Sequence, residues 1–288
     1  MFTLAIIIGI YSYVIFSLGL LGILYKQNII IISIAYLFII LFFIIPKVNL
    51  SSFKKEIIGY IKTSSKLGLI FLSLIAMQSV INLIGTLGPE LGFDALWYHL
   101  TIPKIYLDNH SIFYIPGGLF YYSTMPKLTE MLYAVALAFG SEIFAKLIHF
   151  SFGILCLVAI YKVARKFLSK EFSLLVLVLF YSNLVVGWMS ITAYVDLART
   201  FFEIMALWGF INWVEKKDRK WFIESAVMLG LAISTKLLSL GSLLIFSVLI
   251  AYCFWIWKKN FKHLFIGLSV YWFICLLIPL PWFVFSFI

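Results

Sequence analysis

Apolar runs of about 20 residues recur along the whole chain, separated by short polar stretches, and that length crosses a bilayer core of ~30 Å as a helix. The first run is "LAIIIGIYSYVIFSLGLLGILY". It lacks a basic n-region and a small-residue cleavage site, so it reads as a membrane helix and not as a signal peptide. The pattern predicts nine spans, near 3–24, 28–46, 66–87, 143–161, 172–190, 194–213, 222–238, 240–257 and 264–286. The expected fold class is an all-α, polytopic transmembrane helix bundle forming a single integral membrane domain over residues 1–288. A β-barrel would instead show short alternating segments.

One polar stretch is too long to be a plain connector, the segment 88–142. It predicts two short helices. "DALWYHLTIPKIYLDN" carries Pro103 in its middle and should bend there. "PKLTEMLYAVALAF" is opened by Pro126 and closed by Gly140; at ~14 residues it is too short to span and suited to the interface. Between them "IPGGLFYYSTMP" reads as an irregular loop, with "PGG" as its turn signal.

Composition agrees: 64% of the 288 residues are hydrophobic and 12% charged. A soluble domain carries roughly twice that charged share. The net charge of +10 would suit nucleic acid in a soluble protein. Here the basic residues cluster in short loops, so the positive-inside rule accounts for them and no nucleic-acid partner is expected. Those loops hold Lys47, Lys54, Lys55, Lys62 and Lys66; Lys162, Arg165, Lys166 and Lys170; Lys216, Lys217, Arg219 and Lys220; and Lys258, Lys259 and Lys262. Counting spans places all four on one, cytoplasmic, side. The opposite side then receives segment 88–142, the turn from Thr192 to Asp196 and the turn near Lys236. Cys156, Cys253 and Cys275 lie in apolar runs without metal-ligand spacing and read as small buried hydrophobes.

The unusual polar residues gather on that outer side. Asp94 stands at a membrane exit, on the face of a following helix with Trp97 and Tyr98; it reads as an N-cap, a functional carboxylate, or both. His99 matches no standard metal motif beside Asp94 or Glu90 and reads as a polar interfacial histidine. Asp196 and Arg199 are three residues apart at the outer end of a span. A local ion pair would make both tolerable near lipid, yet ionisable groups at that depth are functional candidates. Glu203 lies two turns deeper. Lys236 either snorkels to the interface or meets a lipid phosphate there. Aromatic residues make up 19% of the chain, and those in 97–122 exceed an interfacial belt. Rings beside carboxylates suit sugars.

"FDALWYHLTIPKIYL", "MPKLTEMLYAVALAFGSEIFAKLIHF", "AYVDLARTFFEIMAL" and "GLAISTKLLSLGSL" together resemble the GT-C membrane glycosyltransferases. The nearest branch is that of dolichyl-phosphate-mannose–protein mannosyltransferases and bacterial lipid A aminoarabinose transferases. The resemblance covers roughly 66–288. It implies interfacial helices in the first large outer loop, a polyprenyl-phosphate sugar as donor, membrane lipids as surroundings and no cofactor. The acceptor stays open: protein, lipid or glycan. Localisation would be a bacterial or archaeal plasma membrane, with the site on the extracytoplasmic face. Asp94 matches the family's early acidic position, Asp196 a second one, and Lys236 the basic residue of a "TK" motif. Many relatives carry paired acids at the first site, whereas here Asp94 is followed by Ala95. Relatives also continue beyond "LIPLPWFVFSFI", which implies a truncated member.

This resemblance casts Asp94 as general base in an inverting transfer. Lys236, Arg199, Lys104 and Lys127 are the outer-side cations available to the departing phosphate, and Tyr98 and His99 would shape the sugar pocket. The rivals are a transporter or lipid flippase, which explains intramembrane charges but not the long aromatic–acidic loop, and a scaffold without a site.

Overall fold

In the computed structural model, residues 1–43, 59, 63–258 and 260–287 are described, and every regular element among them is helical. The order is α1 (Phe2–Leu20), α2 (Lys26–Phe43), α3 (Lys66–Thr86), a π-helical turn (Ala95–His99), α4 (Thr101–Asp108), a 3₁₀ turn (Tyr121–Thr124), α5 (Leu128–Ala138), α6 (Glu142–Ala164), α7 (Lys170–Tyr181), α8 (Leu184–Met189), α9 (Asp196–Lys216), α10 (Arg219–Thr235), α11 (Ser239–Ile256), α12 (Phe261–Leu277) and α13 (Leu280–Phe287). The basic residues Lys47, Lys54, Lys55, Lys62 and Lys259 lie outside the described residues, as does the end of the expected span 28–46.

Among the described residues four helices are long and apolar enough to cross a membrane: α1, α3, α6 and α11. A fifth results if α12 and α13, bent by 61°, form one span. The other apolar runs fall short for visible reasons. α9 carries Asp196, Arg199 and Glu203 in its first eight residues, and α10 has 17 residues. The run 172–190 breaks at Ser182–Asn183, where Asn183 Oδ1 accepts from Val185 N at 2.9 Å and caps α8.

α9 and α10 form the centre. α9 packs on α10 and α6, α10 packs on α12, and α3 packs on α7. Phe201, Phe202, Met205, Ala206, Met228, Leu229 and Ala232 are fully buried there. A methyl on Gly209 would lie 2.9 Å from Ser225 N, so α9 and α10 touch backbone to backbone. Ser225 Oγ uses that approach to donate to Ala206 O at 2.8 Å. The flanking α3 is the reverse: of its 21 residues only Gly68, Asn82 and Thr86 are buried. Its outward leucines and isoleucines fit an apolar surrounding.

The segment 88–141 folds as two short helices, with corrections. The first breaks at Leu100, ahead of Pro103, which sits in the first turn of α4 where a missing N–H is tolerated. The proline ring cannot sit over the carbonyl of residue 99, and the chain answers with a π-helical turn before it. The second, α5, closes at Gly140 as expected (φ +98°). Eight of its residues, Leu128 to Ala134 and Ala136, are buried by contacts with α1, α4 and α6.

The bundle has two distinct ends. At one, which we term the loop end, segment 88–141 meets the α1–α2 turn (Leu24 N to His110 O, 2.9 Å; Ile112 N to Gly19 O, 2.9 Å) and the turn before α9. At the other, the basic end, Lys166 pairs with Glu215 and Lys217 Nζ sits 3.3 Å over the Trp257 ring.

Candidate active site

The loop end is organised around residues 190–195, which connect α8 to α9. His149 of α6 reads this turn from both sides: Nδ1–H donates to Thr192 O at 2.8 Å, and Nε2 accepts from Leu197 N at 3.0 Å. That fixes the tautomer, because an amide N–H can only donate. The Tyr133 hydroxyl of α5 donates to Tyr194 O. Lys146, one helical turn before His149, is buried and donates to Gly85 O, Gly88 O and Pro89 O at 3.3, 2.8 and 3.1 Å, closing the C-terminus of α3.

Asp94 enters this frame half-buried, its backbone N–H donating to Tyr194 Oη at 3.3 Å. Its side chain makes no capping hydrogen bond, so the N-cap reading is overturned; the turn that follows is π-helical and offers no ordinary cap geometry. The widened turn brings Tyr98 and His99 both inward. Burial pushes the Tyr98 hydroxyl well above the usual phenol range, and the charge and hydrogen bond of Asp94 add to the shift. Tyr98 therefore stays protonated and donates toward the carboxylate. Tyr98 stacks on Tyr122 at 4.2 Å, and Trp97 meets both rings edge-on at 5.5 and 5.4 Å. Asp94 thus has an aromatic wall on one side and Tyr194 on the other.

Behind the wall lies a pair that sequence reasoning missed. His99 Nδ1 and Glu130 Oε1 are 2.9 Å apart, and both residues are about 3% exposed. Burial pushes the Glu130 carboxyl up, but the His99 hydrogen bond and the Lys127 charge outweigh it and leave it below the usual range. Lys127 is itself buried; burial lowers its ammonium, and Glu130 partly restores it. The only signal in the sequence was the unusual Lys127-x-x-Glu130 spacing at the start of an otherwise apolar helix.

The second acid lies at the start of α9. Asp196 does not form the expected local pair with Arg199. It accepts both its bonds from Lys236 Nζ across the bundle, at 2.9 and 3.1 Å. Lys236 is consequently not a snorkelling lysine. Arg199 is half-buried, and its Nε is left without a hydrogen-bond partner. Burial raises the Tyr194 hydroxyl, and the charges of Asp94, Glu90 and Asp196 all reach it. The structure therefore gathers Asp94, Tyr98, His99, Lys127, Asp196, Arg199 and Lys236 at one end. Lys104 stands apart, exposed on α4, where it lines a cavity of about 960 Å³ with Lys26, Asp108, His110 and Glu142. Glu203, two turns deeper, accepts from Ser239 Oγ and Ser242 Oγ, each at 2.8 Å, and ties α9 to α11. Among the described residues no three His, Cys, Asp or Glu side chains group to hold a metal ion.

A chain of this composition, helical throughout its described regular elements, with apolar helices outside and its buried ionisable groups gathered at one end, defines an integral membrane protein. Residues 126–285, more than half of the chain, match the family model of dolichyl-phosphate-mannose-protein mannosyltransferases, and the chain belongs to that family of GT-C membrane glycosyltransferases. No curated protein and no solved structure matches it. The matched stretch contains Lys127, Glu130, Asp196, Arg199 and Lys236; Asp94 lies ahead of it.

Proposed function

We propose that this chain transfers a sugar from a polyprenyl-phosphate carrier to an acceptor hydroxyl at the loop end of the bundle, with inversion and with Asp94 as general base. In this reading the acceptor O–H gives its proton to Asp94 as its oxygen bonds the anomeric carbon. The bond from that carbon to the phosphate oxygen breaks, and the electron pair leaves with the polyprenyl phosphate. Lys236 and Arg199 face the developing phosphate charge, with Lys127 as a deeper cation. Tyr98 and Tyr194 hold Asp94 in place, and the Trp97–Tyr122 wall offers faces for a sugar ring.

The observation that carries this reading is the meeting of two acidic segments, distant in sequence, at Tyr194: its hydroxyl takes the Asp94 amide, and it stands two residues before the Lys236-paired Asp196. A transporter would draw support from the bent α12–α13 pair. That break, however, falls at Pro279, and the Ile278 carbonyl beside it accepts from Tyr13 Oη at 2.5 Å. That carbonyl is satisfied by α1 and is not free to hold an ion.

We place the basic end in the cytoplasm, with nine crossings of the membrane, on the positive-inside rule. A reporter fused after Lys166 or Lys217 should read cytoplasmic and one near Gly118 extracytoplasmic; a cytoplasmic Gly118 overturns the orientation. The chemistry is tested with membranes containing the chain and undecaprenyl-phosphate [¹⁴C]mannose or glucose. Asp94→Asn should cut transfer by a factor on the order of 10² to 10⁴ with the melting temperature unchanged. Transfer at the parent rate ends the assignment of Asp94.

A further inference from the structure

Glu90 is 5% exposed and, among the described residues, has no cationic partner within ion-pair distance. Its charge is met by backbone alone. Oε1 accepts from Leu91 N at 2.9 Å and from Gly92 N at 2.7 Å, while Oε2 accepts from Ala193 N at 2.6 Å. One carboxylate therefore binds the chain two residues before Asp94 and three residues before Asp196. Three amide donors on two oxygens require a group that only accepts, which a carboxylate is and an amide side chain is not. A buried charge is costly unless it is hydrogen-bonded, and these bonds are of the strong, charge-assisted kind.

The surroundings are built to hold this bridge still. Glu90 N donates to Glu142 Oε1 at 3.1 Å, and Lys146 grips the preceding carbonyls of Gly88 and Pro89. His149 fixes Thr192 on the other side. Gly92 leaves the room the bridge needs: a Cβ there would lie 3.0 Å from Glu90 Oε1 and 3.1 Å from Tyr194 Cε1.

We propose that Glu90 is a positioning residue: its bridging carboxylate sets the spacing between the Asp94 and Asp196 segments on which sugar transfer depends. This rests on the reading of the site given above. Glu90 touches neither donor nor acceptor. Its removal should therefore lower kcat and leave the donor KM nearly unchanged, because a displacement of about 1 Å in a reacting group costs on the order of 10² in rate.

Two variants perturb the bridge differently. Glu90→Gln keeps the size and turns an N–H₂ toward a backbone N–H. Gly92→Ala keeps every charge and pushes the carboxylate sterically. Nitroxide labels on cysteines placed at the exposed positions Leu91 and Leu184 report the spacing by pulsed electron-spin distance measurement, in a chain whose buried Cys156, Cys253 and Cys275 are replaced by alanine. The unmodified bridge should give one narrow distance distribution. Both variants should shift or broaden it, and transfer from undecaprenyl-phosphate [¹⁴C]mannose or glucose should fall ~10- to 100-fold with donor KM within about twofold. If Glu90→Gln fails to fold, Gly92→Ala decides. An unchanged distribution overturns the proposal, as does a shifted distribution with full transfer. A parent chain that transfers no sugar overturns the reading of the site, while the distance distributions still judge the bridge.

Discussion

The two ends of the bundle use the same side-chain types to opposite effect. At the basic end Lys166 pairs with Glu215, whose side chain is 42% exposed, and Lys220 lies 3.9 Å from Glu224 on the same helical face. Such pairs sit in high dielectric and are worth little. At the loop end the His99–Glu130 pair, Lys146, His149 and Glu90 are all buried, and each is met by specific backbone or side-chain partners. A membrane protein can satisfy topology with exposed lysines. It has no topological need to bury two histidines, a lysine and two glutamates together. The second pattern costs desolvation, and that cost is the physical argument for chemistry at that end.

The contrast should break most visibly at Glu130. Glu130→Ala leaves His99 buried without its partner and should destabilise the protein by roughly 3 kcal/mol or more, read from melting in detergent. The pH dependence carries the same sign. Because the folded Glu130 carboxyl is held below its usual range, its contribution is fully present above the unfolded value. It is lost as pH falls through the folded one. The parent should lose stability on acidification below about pH 4, and the alanine variant should lose less over that interval. An equal loss in both would make the pair energetically idle.

Lys236→Ala comes next. It frees Asp196 and removes a cation from the proposed phosphate position, so transfer should fall about 10²-fold while the protein stays folded in the membrane. Undiminished use of the lipid-phosphate donor would reduce Lys236 to a structural partner of Asp196. The smallest effect belongs to the basic end: Lys166→Ala should change stability by less than about 1 kcal/mol and leave transfer untouched. A large loss there would erase the distinction between the ends.

Much of this was legible in one dimension. The apolar runs and the helical class followed from the hydrophobic pattern, and spacing and charge singled out Asp196 and Lys236 as candidates. Partners did not. Asp196 with Arg199 three residues on looks like a local pair, and the chosen partner lies 40 residues away on α10. Glu130 and His149 were invisible for a related reason: a single ionisable residue in an apolar run carries no mark of what it faces. The expected bend at Pro103 was right in cause and wrong in place, because a proline acts on the turn before it.

What the sequence determined by itself is the solvent this chain prefers. Runs of about 20 apolar residues leave helices in a bilayer as the only way to satisfy their backbone, and loop charge is enough to propose which way they point. What only the tertiary structure decided is which charges meet. Burial by neighbouring elements turns Glu90 from a loop residue into the link between two acidic segments, and packs eight residues of α5 against protein. Helical periodicity constrains neighbours three and four residues apart. Contacts across 31, 40 or 103 residues depend on how whole helices pack, which local pattern does not encode.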